Sequence, residues 1–409
     1  MFGQTSSASI LLRKGAQLDA FGRFRISSPH TVIDSINEYD ISPLFFETIL
    51  AGAGTVTHVP NESGTKLLVG MTSGDSAALQ SRQYNRYIPG KSQLILASSV
   101  LGIPKANVRQ RLGYFDSKNG LYFECDGATF GVVVRSFTSG SVVNTRVPQS
   151  AFNMDKVDGT GASGVILDLS KDNIFVIDFQ WLGSGIVHFG MYSPAGDIVY
   201  FHQFQHANVN QVAYMTTANL PVRAEITNTG TSSSETVVKT TCFSVITEDS
   251  SELATGITAS TPVGTTVTQV TTRRNVLSIR PKTTFNSIVN RGSIRDLYFE
   301  ILTKTNDIFY EVIYNGALGG SPSFASAGAS SITEYDTAGT TVTGGILLLS
   351  GYAVAGQGSS GGKTTTSLLS KLPIVLDAAG GSPINVSIVC TALSGTASVS
   401  ATMNWLEVY

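Results

Sequence analysis

The sequence has few charged residues for its length. Asp, Glu, Lys and Arg make up 14% of the 409 residues, compared with about 25% in typical soluble proteins. The formal net charge is −2, and no run of like charge stands out along the chain. Because a chain without basic excess has no strong electrostatic attraction for nucleic-acid phosphates, we expect no nucleic-acid partner.

Cysteines and long apolar segments are also scarce. Cys125, Cys242 and Cys390 are far apart and odd in number, which predicts buried thiols and no disulfide framework. No window approaches the roughly 18 apolar residues of a membrane-spanning helix. The N-terminus lacks the cationic start and apolar core of a signal peptide. We therefore expect synthesis in a reducing cytoplasm and no membrane partner.

Motifs of cofactor-binding and catalytic proteins are absent from the sequence. Gly159-Thr160-Gly161 does not lie between a strand and a helix, as the nucleotide-binding motif requires. Asp155–Gly161 resembles the start of a calcium loop but lacks its later acidic positions, so we predict a turn there. No nucleophile elbow surrounds a serine. The sequence predicts no catalytic residue, no cofactor and no metal site.

What the chain does contain is a long series of short β-strand patterns. They recur every 8 to 12 residues or so, with Gly-rich and Asn-rich turns between them. The strongest part of this series contains three segments. Ile174–Gln180 is nearly all apolar, and Gly185–Tyr192 and Asp197–Phe204 flank a turn. This spacing predicts an all-β protein made of antiparallel β-sandwich or jelly-roll domains.

Length and a shift in composition predict more than one domain. Residues 1–30 are predicted to form an extended N-terminal arm. Residues 31–255 are predicted to form a large β-sandwich domain, of jelly-roll or lectin-like type. Residues 256–409, which begin with Thr-rich sequence, are predicted to form a C-terminal β-sandwich domain. Within it, Ile294–Lys304 and Ile308–Ile313 predict a hairpin.

Two histidines on the long strand series form a candidate pair. If the loop is centred on Ala195, His188 and His202 are equidistant from the turn, and their Cβ atoms are predicted to lie roughly 5 Å apart. Such a pair could bind a metal or titrate near neutral pH. We favour the simpler interpretation, a stacked or solvated pair. Trp181, just before the hairpin, is predicted to pack under the sandwich.

The arm contains an alternation of aromatic and basic residues. Phe21, Arg23, Phe24 and Arg25 lie within a short segment. A strand of this kind can add to the edge of a sheet, either in the same chain or in a neighbouring subunit. We predict that these four side chains contribute to assembly or partner contact.

A second basic and aromatic group follows further along the chain. Its members are Arg82, Tyr84, Arg86, Tyr87, Arg109 and Arg111. Such a group could contact a glycan, a partner subunit or a phosphate, or it could be a solvated strand face with extended arginines. We predict that its first four residues form an assembly or partner contact.

Four stretches resemble virion structural proteins of tailed bacteriophages and related large viruses. They are Asp19–Ser27 (DAFGRFRIS), Ser81–Lys91 (SRQYNRYIPGK), Lys105–Phe115 (KANVRQRLGYF) and Asp178–Gly183 (DFQWLG). The resemblance covers residues 19 to about 250. It implies location in the virion, contact with other virion proteins and no catalytic residues, and it does not distinguish head from tail.

The sequence and the resemblance together predict a non-enzymatic structural component of a bacteriophage virion, either a capsid-surface protein or a tail or fibre protein. We expect a homo-oligomer, with a trimer as the first hypothesis. The alternative is a receptor-binding or carbohydrate-binding, lectin-like module with a host-surface glycan as partner. A glycan depolymerase is a third interpretation, which requires two carboxylates facing each other across a cleft.

Overall fold

The computed structural model describes residues 19–20, 22, 28–248, 256–264, 266–356 and 372–409. Regular structure in this part of the chain consists of β-strands and short 3-10 turns, without an α-helix. None of its helical segments has the length and apolar character needed to cross a membrane. The chain divides into two compact units, Met1–Ser81 with Asn85–Glu252 and Arg82–Tyr84 with Leu253–Tyr409. The predicted boundary lies near residue 255.

The described part of the first unit contains fifteen strands. In chain order they are β1 (Pro29–Ile36), β2 (Phe46–Ala51), β3 (Thr55–Val59), β4 (Gly64–Val69), β5 (Ser76–Ser81), β6 (Gln93–Val100), β7 (Val108–Phe115), β8 (Gly120–Asp126), β9 (Thr129–Ser136), β10 (Val143–Pro148), β11 (Asn173–Phe179), β12 (Val187–Tyr192), β13 (Ile198–Phe204), β14 (Val222–Asn228) and β15 (Thr236–Glu248).

These strands form two antiparallel sheets around one apolar core. The eight-stranded sheet has the order β13-β12-β11-β6-β15-β4-β3, and β1 also pairs with β15. The seven-stranded sheet has the order β10-β9-β8-β7-β14-β5-β2. Alternate side chains of each strand enter the core, where Phe123 of β8 meets Phe175 of β11 at a ring-centroid distance of 4.8 Å. The predicted all-β sandwich fold is confirmed.

The register of the hairpin β12–β13 differs from the predicted one. Phe189 pairs with His202 and Gly190 pairs with Tyr200, so Phe201 is an extra residue on β13. This bulge places His188 opposite Gln203. The prediction that His188 and His202 are cross-strand partners is therefore wrong. The physical reason is burial: the bulge lets the consecutive residues Phe201 and His202 both be buried, at 0% and 5% exposure, which strict alternation does not allow.

The described residues of the second unit contain fourteen strands. They are β16 (Ile257–Ser260), β17 (Thr268–Val270), β18 (Arg274–Pro281), β19 (Thr284–Phe285), β20 (Ile288–Val289), β21 (Ser293–Thr303), β22 (Ile308–Tyr314), β23 (Ala317–Gly319), β24 (Ala325–Ser326), β25 (Thr333–Asp336), β26 (Thr341–Thr343), β27 (Ile346–Ala353), β28 (Val386–Ala392) and β29 (Ala397–Val408).

Most of these strands belong to two antiparallel sheets. In the smaller sheet β16, β17 and β21 all pair with β29, and the larger has the order β24-β25-β18-β28-β22-β27. Leu277, Ile388 and Trp405 are among the buried side chains of these two sheets. The predicted hairpin of Ile294–Lys304 with Ile308–Ile313 is wrong, because β21 pairs with β29 whereas β22 pairs with β27 and β28. The short connection thus passes from one sheet to the other.

Candidate functional site: a charged face on the seven-stranded sheet

Charged side chains lie in a row on the face of the seven-stranded sheet that is turned away from the core. Glu124 of β8, Arg111 of β7 and Glu225 of β14 are directly opposite one another on three neighbouring strands. Side chains at directly opposite positions share a face of the sheet. The row belongs to the outer face, because adjacent residues of the same strands enter the core, namely Leu112, Phe123, Cys125, Ala224 and Ile226.

Each carboxylate in this row lies between two arginines. Arg111 Nε donates to Glu124 Oε2 at 2.8 Å and its Nη1 donates to Glu225 Oε1 at 3.2 Å. Glu124 Oε1 also accepts from Arg146 Nε at 2.9 Å, and Glu225 Oε2 accepts from Arg223 Nη2 at 2.6 Å. Because the side chains of Arg111 and Glu124 are only 7% and 5% exposed, this pair interacts more strongly than a surface ion pair.

Three arginines of this face cover two aromatic rings. Arg111 lies 5.2 Å from the ring centroid of Tyr122, and Arg135 lies 5.1 Å from the same centroid. Arg135 and Arg223 lie 5.8 and 5.7 Å from the ring centroid of Phe115. Both rings are fully buried, although they lie outside the main core. We call Arg111, Arg135, Arg223, Tyr122 and Phe115 the guanidinium roof. In this group the arginines make cation–π contacts and also cover the aromatic rings.

Gly120 is required for one of these contacts. It lies between Phe115 of β7 and Arg135 of β9 on the strand that separates them. A Cβ atom at this position would approach the Cβ atom of Phe115 to 2.0 Å. The absence of a side chain therefore lets the Arg135 guanidinium extend across β8 to the ring of Phe115.

Arg135 is bound by neutral acceptors. Its Nε donates to Asn144 Oδ1 at 3.0 Å, and its Nη1 donates to the main-chain oxygen of Asp116 at 2.8 Å. Within the described part of the chain it forms no ion pair with a carboxylate, although it is only 7% exposed. Burial lowers the pKa of Arg135, and repulsion by Arg111 lowers it further, whereas Tyr122 and Glu225 raise it in part.

Arg111 has the opposite electrostatic environment. Burial alone would lower its pKa, but Tyr122, Glu225 and Glu124 raise the pKa of Arg111 above its ordinary value. The two arginines lie over the same ring, Tyr122. Both arginines are buried and contact the same aromatic surface. The difference is that Arg111 forms direct ion pairs with Glu124 and Glu225, whereas Glu225 acts on Arg135 from a longer distance.

A second polar group lies on the eight-stranded sheet, where it holds the described part of the arm. Asp178 is 1% exposed and accepts from Ser92 Oγ at 2.8 Å and from Tyr200 Oη at 2.9 Å. The main-chain N–H of Ala20 donates to Ser92 Oγ at 3.3 Å, and Gln180 Nε2 donates to the oxygen of Ala20 at 3.2 Å. Because the serine contacts the carboxylate directly, this is not a Ser-His-Asp arrangement. Phe21, Arg23, Phe24 and Arg25 lie outside the described residues.

The two predicted histidines occupy separate environments. The His188 ring lies 5.1 Å from that of Tyr200, whereas His202 packs against Phe152 and Phe204 at 5.7 and 4.6 Å. Burial lowers the pKa of His202 to about 4, so this ring is neutral at physiological pH. In the described ranges, no group of three or more His, Cys, Asp or Glu side chains is placed to hold a metal.

The predicted group of Arg82, Tyr84, Arg86 and Tyr87 is not an open surface patch. The ring of Tyr87 is 5% exposed and packs edge-on against Trp181 at 6.1 Å. Tyr84 is 7% exposed, and the Arg291 guanidinium lies 4.4 Å from its ring in the second unit. Arg82 and Arg86 are half-buried. Both tyrosines are therefore packing residues.

Trp181 and Asp155 have the predicted structural roles. Trp181 packs against the core of the first unit, and its Nε1 donates to the main-chain oxygen of Met215 at 3.3 Å. Asp155 accepts from the N–H groups of Val157 and Ser163, each at 2.8 Å. Burial alone would raise the pKa of Asp155, but these two donors lower it. The carboxylate therefore stabilises a turn.

Comparisons with known proteins give only distant similarities. No protein-family model matches the chain, and no curated protein matches it. A legume lectin-like domain from Entamoeba histolytica has 9% identity and a TM-score of 0.32, covering 52% of this chain and 96% of that one. A glycosyl hydrolase family 16 protein from Mycobacterium smegmatis has 11% identity and a TM-score of 0.36, covering 53% and 100%.

The similar structures also include a phage module. The CBM2 module of an evolved Dit protein from Lactobacillus casei BL23 phage J-1 has 7% identity and a TM-score of 0.32. It covers 55% of this chain and 98% of that chain. Similarity at this level carries no information on ligand, activity or assembly.

Proposed function

We propose that the chain is a non-enzymatic structural component of a bacteriophage virion, assembled as a homo-oligomer in contact with other virion proteins. The resemblance of four sequence stretches to virion structural proteins supports the location. The arrangement of Glu124 and Glu225 supports the non-enzymatic role most directly, because arginines occupy both carboxylates.

The electrostatics of this face argue against hydrolysis of a glycan there. A glycoside hydrolase needs one carboxylic acid with a raised pKa and a second carboxylate facing it across the bond to be cleaved. Burial alone would raise the pKa of Glu225, but Arg223 and Arg111 lower it. Arg111 also lies between Glu225 and Glu124. This geometry suits a rigid, preorganised surface better than a general acid.

One edge of the second unit supports assembly. β27 is the last strand of the six-stranded sheet, and in the described ranges it pairs only with β22. Leu347 and Tyr352 on this strand are 52% and 69% exposed, and Val354 just beyond it is 66% exposed. The strand has no charged residue. Exposed, uncharged edge strands favour association, because nothing opposes pairing with another chain.

Quantitative mass spectrometry of purified virions tests the location. We expect the chain in the particle, at hundreds of copies for a capsid-surface protein or in multiples of three or six for a tail protein. Its absence from purified particles would reject the proposal.

Light scattering of the purified chain tests the oligomer. We expect a mass that is a multiple of the 43.2 kDa chain, and a shift toward monomer for the double variant Leu347→Lys with Tyr352→Lys. Ile166→Lys, at a residue of the first unit that is 71% exposed, is the control and should leave the mass unchanged. A wild-type monomer at all concentrations contradicts the homo-oligomer.

A further inference from the structure

A buried cation that forms no direct ion pair is a costly arrangement. Removing a guanidinium from water costs several kcal/mol unless a counter-ion or a full set of acceptors replaces the water. Arg135 is 7% exposed, and the groups that accept its hydrogen bonds among the described residues are neutral, namely Asn144 Oδ1, the Asp116 main-chain oxygen and the Tyr122 hydroxyl. Arg111, on the same ring, has two carboxylates.

The surroundings of Arg135 carry a local excess of positive charge. The side chains joined by the ion pairs and ring contacts of this face include four arginines and two glutamates, which are Arg111, Arg135, Arg146, Arg223, Glu124 and Glu225. The excess of two positive charges contrasts with a net charge of −2 for the whole chain. An anion bound here would complete the local balance.

We propose that the guanidinium roof binds an oxyanion, a carboxylate or phosphate group carried by an acidic polysaccharide, and that Arg135 is the residue that pairs with it. This proposal goes beyond the structural role in the particle and does not depend on it.

The groups beside Arg135 favour a polysaccharide as the carrier of the anion. Asn144 is exposed, and its Oδ1 accepts from both Arg135 and Tyr122, which leaves its amide nitrogen as a donor. Arg146, next to this position on β10, has a side chain that is 24% exposed. Amide and guanidinium donors side by side can bind the hydroxyl groups and the anionic group of one acidic sugar.

Binding of soluble polymers to the full-length chain tests the proposal. The probes are polygalacturonate, which carries carboxylates, and phosphorylated dextran, which carries phosphates, with neutral dextran and poly-L-glutamate as comparisons. We expect one of the two acidic glycopolymers to bind, with an affinity that falls as salt is added, and dextran not to bind. The polymer that binds identifies the source of the oxyanion.

Variants connect this binding to one residue. Arg135→Gln should weaken the affinity about tenfold or more, because a charge-assisted contact is lost, and Arg135→Lys should retain part of it. Arg280→Gln is the matched control, since Arg280 is paired with Glu334 in the second unit, and its affinity should equal that of the wild type. A thermal melt shows whether each variant is folded, and Arg135→Lys replaces Arg135→Gln if the latter unfolds.

Three results would overturn the proposal. The first is the absence of binding to both acidic glycopolymers. The second is an unchanged affinity in folded Arg135 variants. The third is binding to poly-L-glutamate alone, which would assign the site to an acidic protein segment. Detection of the chain in virions is independent of all three results, so this proposal can fail while the structural role stands.

Discussion

The two units bury a charged side chain in different ways. In the second unit, Glu407 of β29 is 0% exposed and accepts hydrogen bonds from the side chains of Ser331, Thr333 and Trp405 and from the N–H of Ile332. Both carboxylate oxygens are therefore occupied. In the first unit, Arg135 is 7% exposed, and among the described residues it donates to neutral acceptors and forms no direct ion pair.

This difference separates a structural charge from a functional one. Glu407 fixes the segment 331–333 to β29 through groups that this chain supplies itself, which is how buried polar groups are normally satisfied. In the guanidinium roof, Arg111 and Arg223 form direct ion pairs with carboxylates, whereas Arg135 forms none within the described part of the chain. A cation that forms no direct ion pair with the described residues can form one with an anionic ligand.

The largest effect is expected at Glu407. In Glu407→Gln, an NH₂ group takes the place of one accepting oxygen and faces other hydrogen-bond donors. We therefore expect the second unit to lose about 3 to 4 kcal/mol of unfolding free energy. Chemical denaturation with near-UV detection measures it. The control is Glu311→Gln, whose partner Arg273 has a side chain that is 43% exposed, and we expect less than about 1 kcal/mol there. Equal losses of unfolding free energy for Glu407→Gln and Glu311→Gln would contradict a special role for the buried carboxylate.

A smaller loss is expected at Glu124. Glu124→Gln leaves Arg111 and Arg146 with one carboxylate fewer between them, so we expect the first unit to lose about 2 kcal/mol. The same denaturation experiment measures this change. An unchanged unfolding free energy would mean that the ion pairs of this face are as weak as those of an exposed surface.

A pH titration extends the comparison to a buried group that is kept uncharged. Burial lowers the pKa of His202 from 6.5 to about 4, so protons bind the unfolded chain more readily than the folded one between these values. Its contribution to stability is complete above about pH 6.5 and is lost as the pH falls toward 4. Burial also lowers the pKa of His206, partly opposed by its hydrogen bond to the Gly185 carbonyl, with the same sign.

Thermal melts between pH 4 and pH 7.5 measure this dependence. We expect the unfolding temperature of wild type to fall across the window, and that of His202→Phe to fall less, because phenylalanine can pack against Phe152 and Phe204 without a titrating ring. His30→Phe is the control at a histidine that is only half-buried. If the unfolding temperatures of wild type and His202→Phe fell in parallel with pH, the pH dependence could not be assigned to His202.

Local patterns in the sequence predict the fold class, whereas pairing over long distances decides the rest. β11 and the Asn119-Gly120 turn between β7 and β8 follow directly from apolar runs and turn residues. No strand was predicted for β5 or β14, although the alternate burial of Val222, Ala224 and Ile226 in β14 is a clear strand signal. The β12–β13 register depends on a bulge at Phe201, which only packing determines.

The candidate site is harder to predict, because its partners are distant in the sequence. Arg109 and Arg111 stand out as charged residues within a β-strand pattern and were grouped with other arginines. The partners of Arg111 lie 13 residues away at Glu124 and 114 residues away at Glu225. Only the order of the seven-stranded sheet brings β8, β7 and β14 side by side.

The most direct test of the difference between an arginine with direct ion pairs and one without them is a pair of matched substitutions on one ring. Arg111→Met and Arg135→Met each replace a guanidinium over Tyr122 by an apolar side chain that still covers the ring. We expect Arg111→Met to cost about 3 kcal/mol of unfolding free energy, because it leaves Glu124 and Glu225 without a shared partner, and Arg135→Met to cost less than about 1 kcal/mol. Equal losses at both positions would show that Arg135 is retained for stability, and would contradict its role in binding an anion.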